Sequence, residues 1–195
     1  MIFDDDQISL RFLIQPGLAG SDPDHWQSHW QRRLGARAER IEQRDWINPQ
    51  LKEWEETATE AIARQRMPVV IVAHSLGCIL MARLLAQPLS PVVGAVLVAP
   101  ADIERPDVPE QTRNFAPISR ARLAVPALVV SSSSDPFCRA ERAEEFAAAW
   151  DADLWRLGDA GHINSAAGFG EWPEGWQYVK DWLGRRVEAR SEQSS

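Results

Sequence analysis

The chain has 195 residues, of which 45% are hydrophobic and 25% are charged, which is ordinary for a soluble globular protein with a substantial core. Its formal net charge is −7 and it shows no basic stripe, so the composition argues against a nucleic-acid partner. Its two cysteines give neither a disulfide framework nor a metal-ligand spacing, and no apolar stretch reaches the roughly 18 residues that a membrane span needs. The acidic first residues lack the pattern of a signal peptide, so we expect a cytoplasmic protein.

Strand signals alternate with helix signals along the chain. The pattern predicts strands at 11–15, 37–42, 69–73, 92–99, 128–132 and 154–157, and helices at 24–34, 49–66, 76–85, 139–150 and 172–187. Ser21, Asp22 and Asp24 are the candidate N-caps of the first helix. Because the strands are continuously apolar and separated by helices, we predict an α/β fold, a three-layer α/β/α sandwich with about six mostly parallel strands. We expect a single domain over residues 1–190 and a flexible tail at 191–195.

Two parts of the chain depart from this regular alternation. Residues 101–125 combine several prolines and charges with little periodicity, so we expect an irregular excursion above the sheet, a small cap at most. Nine tryptophans accompany a single tyrosine, and we expect most of them to pack in the core. Trp172 is the best candidate for lining a pocket because it follows a loop that contains His162.

A serine lies at the junction of the third strand and the third helix. The apolar run 69–73 leads into a His-Ser-Leu-Gly turn, and an apolar helical segment follows. Ala73 and Gly77 lie two positions before and after Ser75, where only small side chains let strand and helix pass close together around a strained turn. This pattern is typical of the nucleophile elbow of an α/β-hydrolase, with Ala73 in place of the first glycine.

A serine hydroxyl needs a base to take its proton and a third group to orient that base. In α/β-hydrolases the acid follows the serine along the chain and the histidine comes last, each just after a strand. Asp135, in a Ser-Ser-Asp-Pro turn after the strand 128–132, is the predicted acid; the alternative is an aspartate that only caps the next helix. His162 follows the last short strand and is the predicted base; the alternative is an ordinary surface histidine.

The other histidines are weaker candidates for the base. His74 adjoins the nucleophile but belongs to the elbow, so its side chain should point away. His25 and His29 have the i, i+4 spacing of a zinc-binding helix, but the glutamate of H-E-x-x-H and a third ligand are missing. We therefore expect helix-surface or pocket-edge histidines and no metal site. Cys78 and Cys138 are expected to be packing residues.

An oxyanion hole requires two backbone N–H groups close to the serine. One should come from Leu76, the residue after the nucleophile. The other should come from the loop 16–20 after the first strand, where we choose Leu18, with Gly17 giving the backbone its freedom.

Several short blocks extend these signals along most of the chain. They are Pro16-Gly17; His25-Trp26-Gln27-Ser28 with Trp30; Gln43; Asp45-Trp46 with Pro49; Val72-Ala-His-Ser-Leu-Gly77; Leu97-Val-Ala-Pro-Ala-Asp102; Ser133-Ser-Asp135-Pro136; Ala160-Gly-His-Ile-Asn164; and Gly168 to Gly170 with Trp172-Pro173. In these blocks the chain resembles the small α/β-hydrolases of the YdeN type, which are related to the retinoblastoma-binding-protein serine hydrolases. The resemblance implies a reduced hydrolase fold with strand order 2-1-3-4-5-6 and no large lid. It also implies a triad at Ser75, Asp135 and His162.

These observations predict a serine hydrolase that cleaves a small carboxylic ester or amide through an acyl-enzyme. No metal or organic cofactor is expected, and the partner is a small-molecule substrate rather than a membrane or a nucleic acid. The short excursion at 101–125 should leave the site open, which favours small acyl groups over long lipid chains. The alternative is a catalytically weak hydrolase-fold protein that acts as a binding or interaction module. Acyl transfer to an acceptor other than water would use the same residues.

Overall fold

The structure of the chain is a computed structural model that describes residues 10–193, with side chains through residue 186. The strands are β1 (Arg11–Gln15), β2 (Ala38–Arg40), β3 (Val69–His74), β4 (Val92–Val98), β5 (Ala127–Ser131) and β6 (Asp153–Arg156). The helices are α1 (Trp26–Leu34), α2 (Leu51–Ala63), α3 (Leu76–Leu84), α4 (Ala140–Trp150) and α5 (Pro173–Gln193). These strands pair in parallel in one sheet, in the order β2-β1-β3-β4-β5-β6. The predicted α/β fold and strand order are confirmed.

Two helical layers cover the sheet because successive strand side chains point to opposite faces. On β3, Val69, Ile71 and Ala73 pack in a core built with α2, α3 and α4. Val70 and Val72 pack on the other face, in a core built with α1 and α5. Both faces of the central strands are therefore dry, which explains why β3, β4 and β5 are apolar at almost every position.

The ends of two helices differ from the prediction. His25 caps α1, its Nδ1 accepting the Gln27 N–H at 3.1 Å, whereas the predicted caps Ser21, Asp22 and Asp24 lie in the preceding loop. Asp22 instead accepts the Asp24 N–H at 2.8 Å, which closes a tight turn before the helix begins. At the other end of the chain α5 continues to Gln193. The expected tail at 191–195 thus starts in helix, and residues 194 and 195 lie outside the described residues.

Residues 101–125 cross the end of the sheet as an irregular segment whose only regular element is a short 3-10 helix, Glu110–Phe115. Ile103, Phe115 and Ile118 are buried against the core of α2, α3 and α4. The segment is therefore a packed cap rather than a separate lid. No helix within the described part of the chain has the length and apolar character to span a membrane.

Candidate active site

Ser75 lies in a strained turn between β3 and α3. Its φ of 55° and ψ of −123° are unusual for a residue with a side chain. Its N–H donates to Val98 O at 3.1 Å, and its carbonyl accepts the Cys78 N–H at 2.9 Å. The turn therefore joins the end of β3 to both β4 and the first turn of α3, which is the predicted elbow.

Gly77 allows α3 to pass directly over the end of β1. A Cβ atom at Gly77 would lie 2.5 Å from Pro16 O and 2.6 Å from Gln15 O, both backbone atoms. Ala73 faces a similar limit, because it is fully buried between Gln15 and Leu97 in the sheet. The small residues around the serine are therefore required by this close approach.

We expect Gly77→Ala to lower the free energy of unfolding by about 3 kcal/mol or more, because backbone must move to admit the methyl group. This loss should occur although alanine is intrinsically favoured in a helix by about 1 kcal/mol. Gly94→Ala is the matched control, since a Cβ at that buried strand position would meet Pro126 O at 3.6 Å, an ordinary contact. Urea unfolding of both variants makes the comparison, and equal midpoints would contradict the explanation.

Asp135 follows β5 in a turn that contacts the loop after β6. Its Oδ1 accepts the Phe137 N–H at 2.8 Å, and its side chain is almost completely buried. Ser132 Oγ accepts the Ala160 N–H at 3.1 Å, and Ser134 Oγ accepts the Gly161 N–H at 3.0 Å. The two serines therefore hold the aspartate loop (residues 132–137, after β5) and the histidine loop (residues 158–164, after β6) together.

His162 bridges the serine and the aspartate. Its Nε2 lies 2.9 Å from Ser75 Oγ, and its Nδ1 lies 2.9 Å from both carboxylate oxygens of Asp135. A carboxylate only accepts hydrogen bonds, so Nδ1 carries the hydrogen and Nε2 is free to accept the serine hydroxyl hydrogen. The structure thus brings the three predicted residues into one hydrogen-bonded chain, with His162 only 8% exposed.

The two residues predicted to donate their backbone N–H groups to the oxyanion also lie beside Ser75. Leu18 and Leu76 both line the cavity next to Ser75. A Cβ at Gly17 would lie 2.7 Å from Ser75 Cβ and 3.1 Å from Leu76 N, so the loop after β1 packs directly on the elbow. Within the described residues, the N–H groups of Leu18 and Leu76 donate no hydrogen bond. Both are therefore available to a bound group.

A cavity of about 490 Å³ opens above Ser75. Besides the predicted site residues, its walls come from the start of α1, the cap and the histidine loop. Charged and polar wall residues that the sequence did not assign to the site include Asp22, Asp102, Arg105, Asp107, Thr112 and Ser165. Arg105 pairs with Asp107 and donates to Pro136 O, so it fastens the cap to the loop of Asp135.

Trp172 does not line this cavity, so its predicted role was wrong. Its ring is buried against Trp26, Trp30 and Trp155 below the histidine loop. The backbone at Trp172 has a φ of 43°, a left-handed turn that comes directly before α5 begins. Proximity along the chain to the loop of His162 therefore did not mean proximity to the cavity.

Of the three other histidines, His25 and His74 line the cavity. His25 is buried, caps α1 and lines the cavity, while His29 is partly exposed on α1. Burial lowers the pKa of His25 to about 4, although the charge of Asp22 opposes the shift. Burial also lowers the pKa of His74 well below its usual value, and the neighbouring His162 acts in the same direction. No cluster of metal-ligand residues was found within the described part of the chain.

The two cysteines are buried, as expected for packing residues. Cys78 Sγ donates to Val98 O at 3.3 Å, and Cys138 lies in the same core layer. Burial raises the pKa of the Cys78 thiol, and it raises the pKa of the Cys138 thiol to about 12. Both side chains therefore stay as unreactive thiols rather than nucleophilic thiolates.

A parallel sheet with this strand order and a strained serine elbow at its centre defines an α/β-hydrolase fold. Comparison with known proteins narrows the class. The serine hydrolase family model matches residues 12–181. A protein described as a YdeN-like hydrolase, from Pectobacterium atrosepticum, is 35% identical with a TM-score of 0.79, over 91% of each chain. The chain belongs to the YdeN-like serine hydrolases.

More distant structures share the fold. The ydeN gene product of B. subtilis is 21% identical, with a TM-score of 0.77 over 91% of this chain and 100% of that one. Est1E from Butyrivibrio proteoclasticus, in complex with ferulic acid, is 13% identical with a TM-score of 0.69, over 95% of this chain and 92% of that one. Among curated proteins, no sequence matched.

Proposed function

We propose that Ser75, His162 and Asp135 form the catalytic triad of this serine hydrolase, which cleaves a small carboxylic ester or amide through an acyl-enzyme. The observation that carries the proposal is the continuous hydrogen-bonded chain, with 2.9 Å from Ser75 Oγ to His162 Nε2 and 2.9 Å from His162 Nδ1 to Asp135. This arrangement matches what a general base needs in both reach and tautomer.

In the first half of the reaction Ser75 Oγ attacks the substrate carbonyl carbon while His162 Nε2 takes the hydroxyl proton. Asp135 stabilises the imidazolium that forms and keeps its orientation. His162 then gives that proton to the leaving oxygen or nitrogen as the bond to it breaks, which leaves the acyl group on Ser75. In the second half water attacks the acyl carbon, His162 takes a proton from the water, and the acid product leaves as Ser75 regains its proton.

The N–H groups of Leu76 and Leu18 hold the oxyanion of each tetrahedral intermediate in this proposal. Their place beside Ser75, without another hydrogen-bond partner among the described residues, supports the assignment. Ser75 also lies at the N-terminus of α3, where the helix dipole favours negative charge. Each such donor typically contributes about 3 kcal/mol to transition-state stabilisation.

The size and the polarity of the cavity favour a small acyl group. Its volume of about 490 Å³ is at the lower end of ligand pockets, and polar cap residues such as Thr112 and Asp107 form part of its wall. A long lipid chain would need a continuous apolar channel, whereas these walls are mixed in character. We therefore propose short-chain esters or amides as substrates.

The test is a series of nitrophenyl esters from acetyl to dodecanoyl, with the Ser75→Ala variant as the blank. We expect an initial burst of nitrophenolate equal to the enzyme concentration, which is the kinetic sign of an acyl-enzyme. kcat/KM should be at least about tenfold higher for the acetyl or butyryl ester than for dodecanoyl, because the longer chain would lie against polar wall residues such as Asp107 and Thr112. A clear dodecanoyl preference would exclude the small-acyl proposal, and no turnover above the blank would favour a binding module.

A further inference from the structure

Two consecutive carbonyl groups of the histidine loop accept hydrogen bonds from buried side chains. The carbonyl of His162 lies 3.0 Å from His74 Nε2, and the carbonyl of Ile163 accepts the indole N–H of Trp26 at 2.8 Å. His74 belongs to β3 and Trp26 begins α1, so the two donors come from elements far from the loop in the chain. The backbone of His162 and Ile163 is thus bonded by side chains from two separate elements, β3 and α1.

The protonation of His74 is fixed by its partner. A carbonyl oxygen only accepts, so His74 Nε2 must carry a hydrogen. His74 is 4% exposed, and its ring lies between the rings of His25 and His162, with both centroid distances 4.8 Å. The side chain therefore has little freedom to leave the carbonyl of His162.

The side chain of Trp26 is also fixed by burial and ring contacts. Its ring is fully buried and packs against Trp30, with centroids 4.7 Å apart, and against His25 at 5.4 Å. His25 itself is anchored as the N-cap of α1. His74 and Trp26, which both donate to the histidine loop, therefore belong to one packed group of rings.

The loop needs such support because its backbone is strained. Ile163 has a φ of 48°, in the left-handed region that disfavours a β-branched residue. Gly161 has a φ of 53°, and a Cβ there would lie 2.9 Å from Ala167 Cβ. A strained segment persists only where its surroundings determine it, and here the two side-chain donors act at the strained residue and the residue before it.

We infer that His74 and Trp26 are positioning residues of this hydrolase, which fix the backbone of His162 so that its Nε2 meets Ser75 Oγ. The inference rests on the proposed function, because it assigns His162 as the base. Asp135 orients the imidazole ring, whereas His74 and Trp26 fix the position of the backbone from which the ring extends. A small displacement of a catalytic group can lower the rate by about 100-fold, so the backbone bonds have a direct kinetic consequence.

The test compares variants at both donors. His74→Leu removes the N–H, and we expect kcat to fall about 10- to 100-fold while KM stays within about twofold. His74→Gln places an amide N–H near the position of Nε2, and we expect it to restore most of kcat. Trp26→Phe removes only the indole N–H, and we expect a smaller fall in kcat, again at nearly constant KM.

Trp182→Phe is the matched control. Trp182 lies in the same core layer, and its replacement by Phe also removes an indole hydrogen bond, but that bond goes to Asp153 of β6 and not to the histidine loop. Its kcat should equal that of the wild type. Hydrogen exchange of residues 158–164, followed by mass spectrometry, should increase in His74→Leu and Trp26→Phe and not in His74→Gln or Trp182→Phe.

Four results would overturn the inference: unchanged kcat in folded His74→Leu and Trp26→Phe, an equal loss in Trp182→Phe, no rescue by His74→Gln, or unchanged loop exchange in the donor variants. If His74→Leu does not fold, the comparison of Trp26→Phe with Trp182→Phe, in kcat and in hydrogen exchange of the loop, decides the question. A wild type without ester turnover would contradict the proposed function, and hydrogen exchange would still decide whether the two donors hold the loop.

Discussion

A fluorophosphonate probe should label the wild-type protein at Ser75, and Ser75→Ala should abolish both labelling and ester turnover. We expect kcat to fall by at least about 10⁴-fold, because without the nucleophile only binding and the oxyanion donors remain. Tryptic digestion makes the assignment direct, since the peptide 67–83 contains Ser75 as its single serine. A mass shift on that peptide identifies the reactive residue.

Ser133→Ala is the control for this substitution. Ser133 is an exposed serine in the loop before Asp135, and labelling and turnover should match the wild type. Circular dichroism and thermal unfolding check that Ser75→Ala remains folded. Labelling that persists in Ser75→Ala, or that maps to another peptide, would contradict the assignment of the nucleophile.

Asp135→Asn should lower kcat by about 10³- to 10⁴-fold while the protein stays folded. The amide of asparagine can donate to His162 Nδ1, which favours the tautomer with the hydrogen on Nε2. That tautomer cannot accept the proton of Ser75 Oγ, so the base is blocked although the three side chains stay in place. Steady-state kinetics with a short-chain nitrophenyl ester, together with the rate of probe labelling, measures the effect.

Asp159→Asn is the matched control for the change in charge. Asp159 lies in the histidine loop, where its Oδ1 accepts a hydrogen bond from Ser134 Oγ, and an asparagine oxygen can still accept that bond. Its kcat should stay within about twofold of the wild type. An equal loss in both variants would show that local charge, and not the tautomer of His162, determines the rate.

The sequence was sufficient for the sheet and for the meeting of the three candidate site residues, because both depend on local patterns. Apolar runs separated by helical segments define a covered parallel sheet, and its strands end at one edge. Ser75, Asp135 and His162 each follow a strand, so their order along the chain already placed them at that edge. The tight approach at Gly77 was also visible, since small residues lie two positions before and two positions after the serine.

The surroundings of the site depend on long-range packing, and there the sequence signals failed. The bond from Trp26 to Ile163 spans 137 positions, and nothing near either residue indicates it. His74 was expected to point away from Ser75, and no local signal indicated that its ring contacts the backbone carbonyl of His162. Trp172 is buried below the loop, and Asp107 lines the cavity. Both positions follow from how the cap and α5 pack.

The buried, uncharged imidazole of His25 also determines how the fold responds to acid. Its pKa is about 4 in the folded protein, against about 6.5 for an unperturbed histidine, so the unfolded chain takes up a proton that the native protein does not. The contribution of His25 to stability is complete above about pH 6.5 and is lost as the pH falls towards about 4, at up to about 1.4 kcal/mol per pH unit. His74, whose pKa is lowered in the same direction, steepens this dependence. The acid side of a pH–rate profile will therefore include loss of folded enzyme.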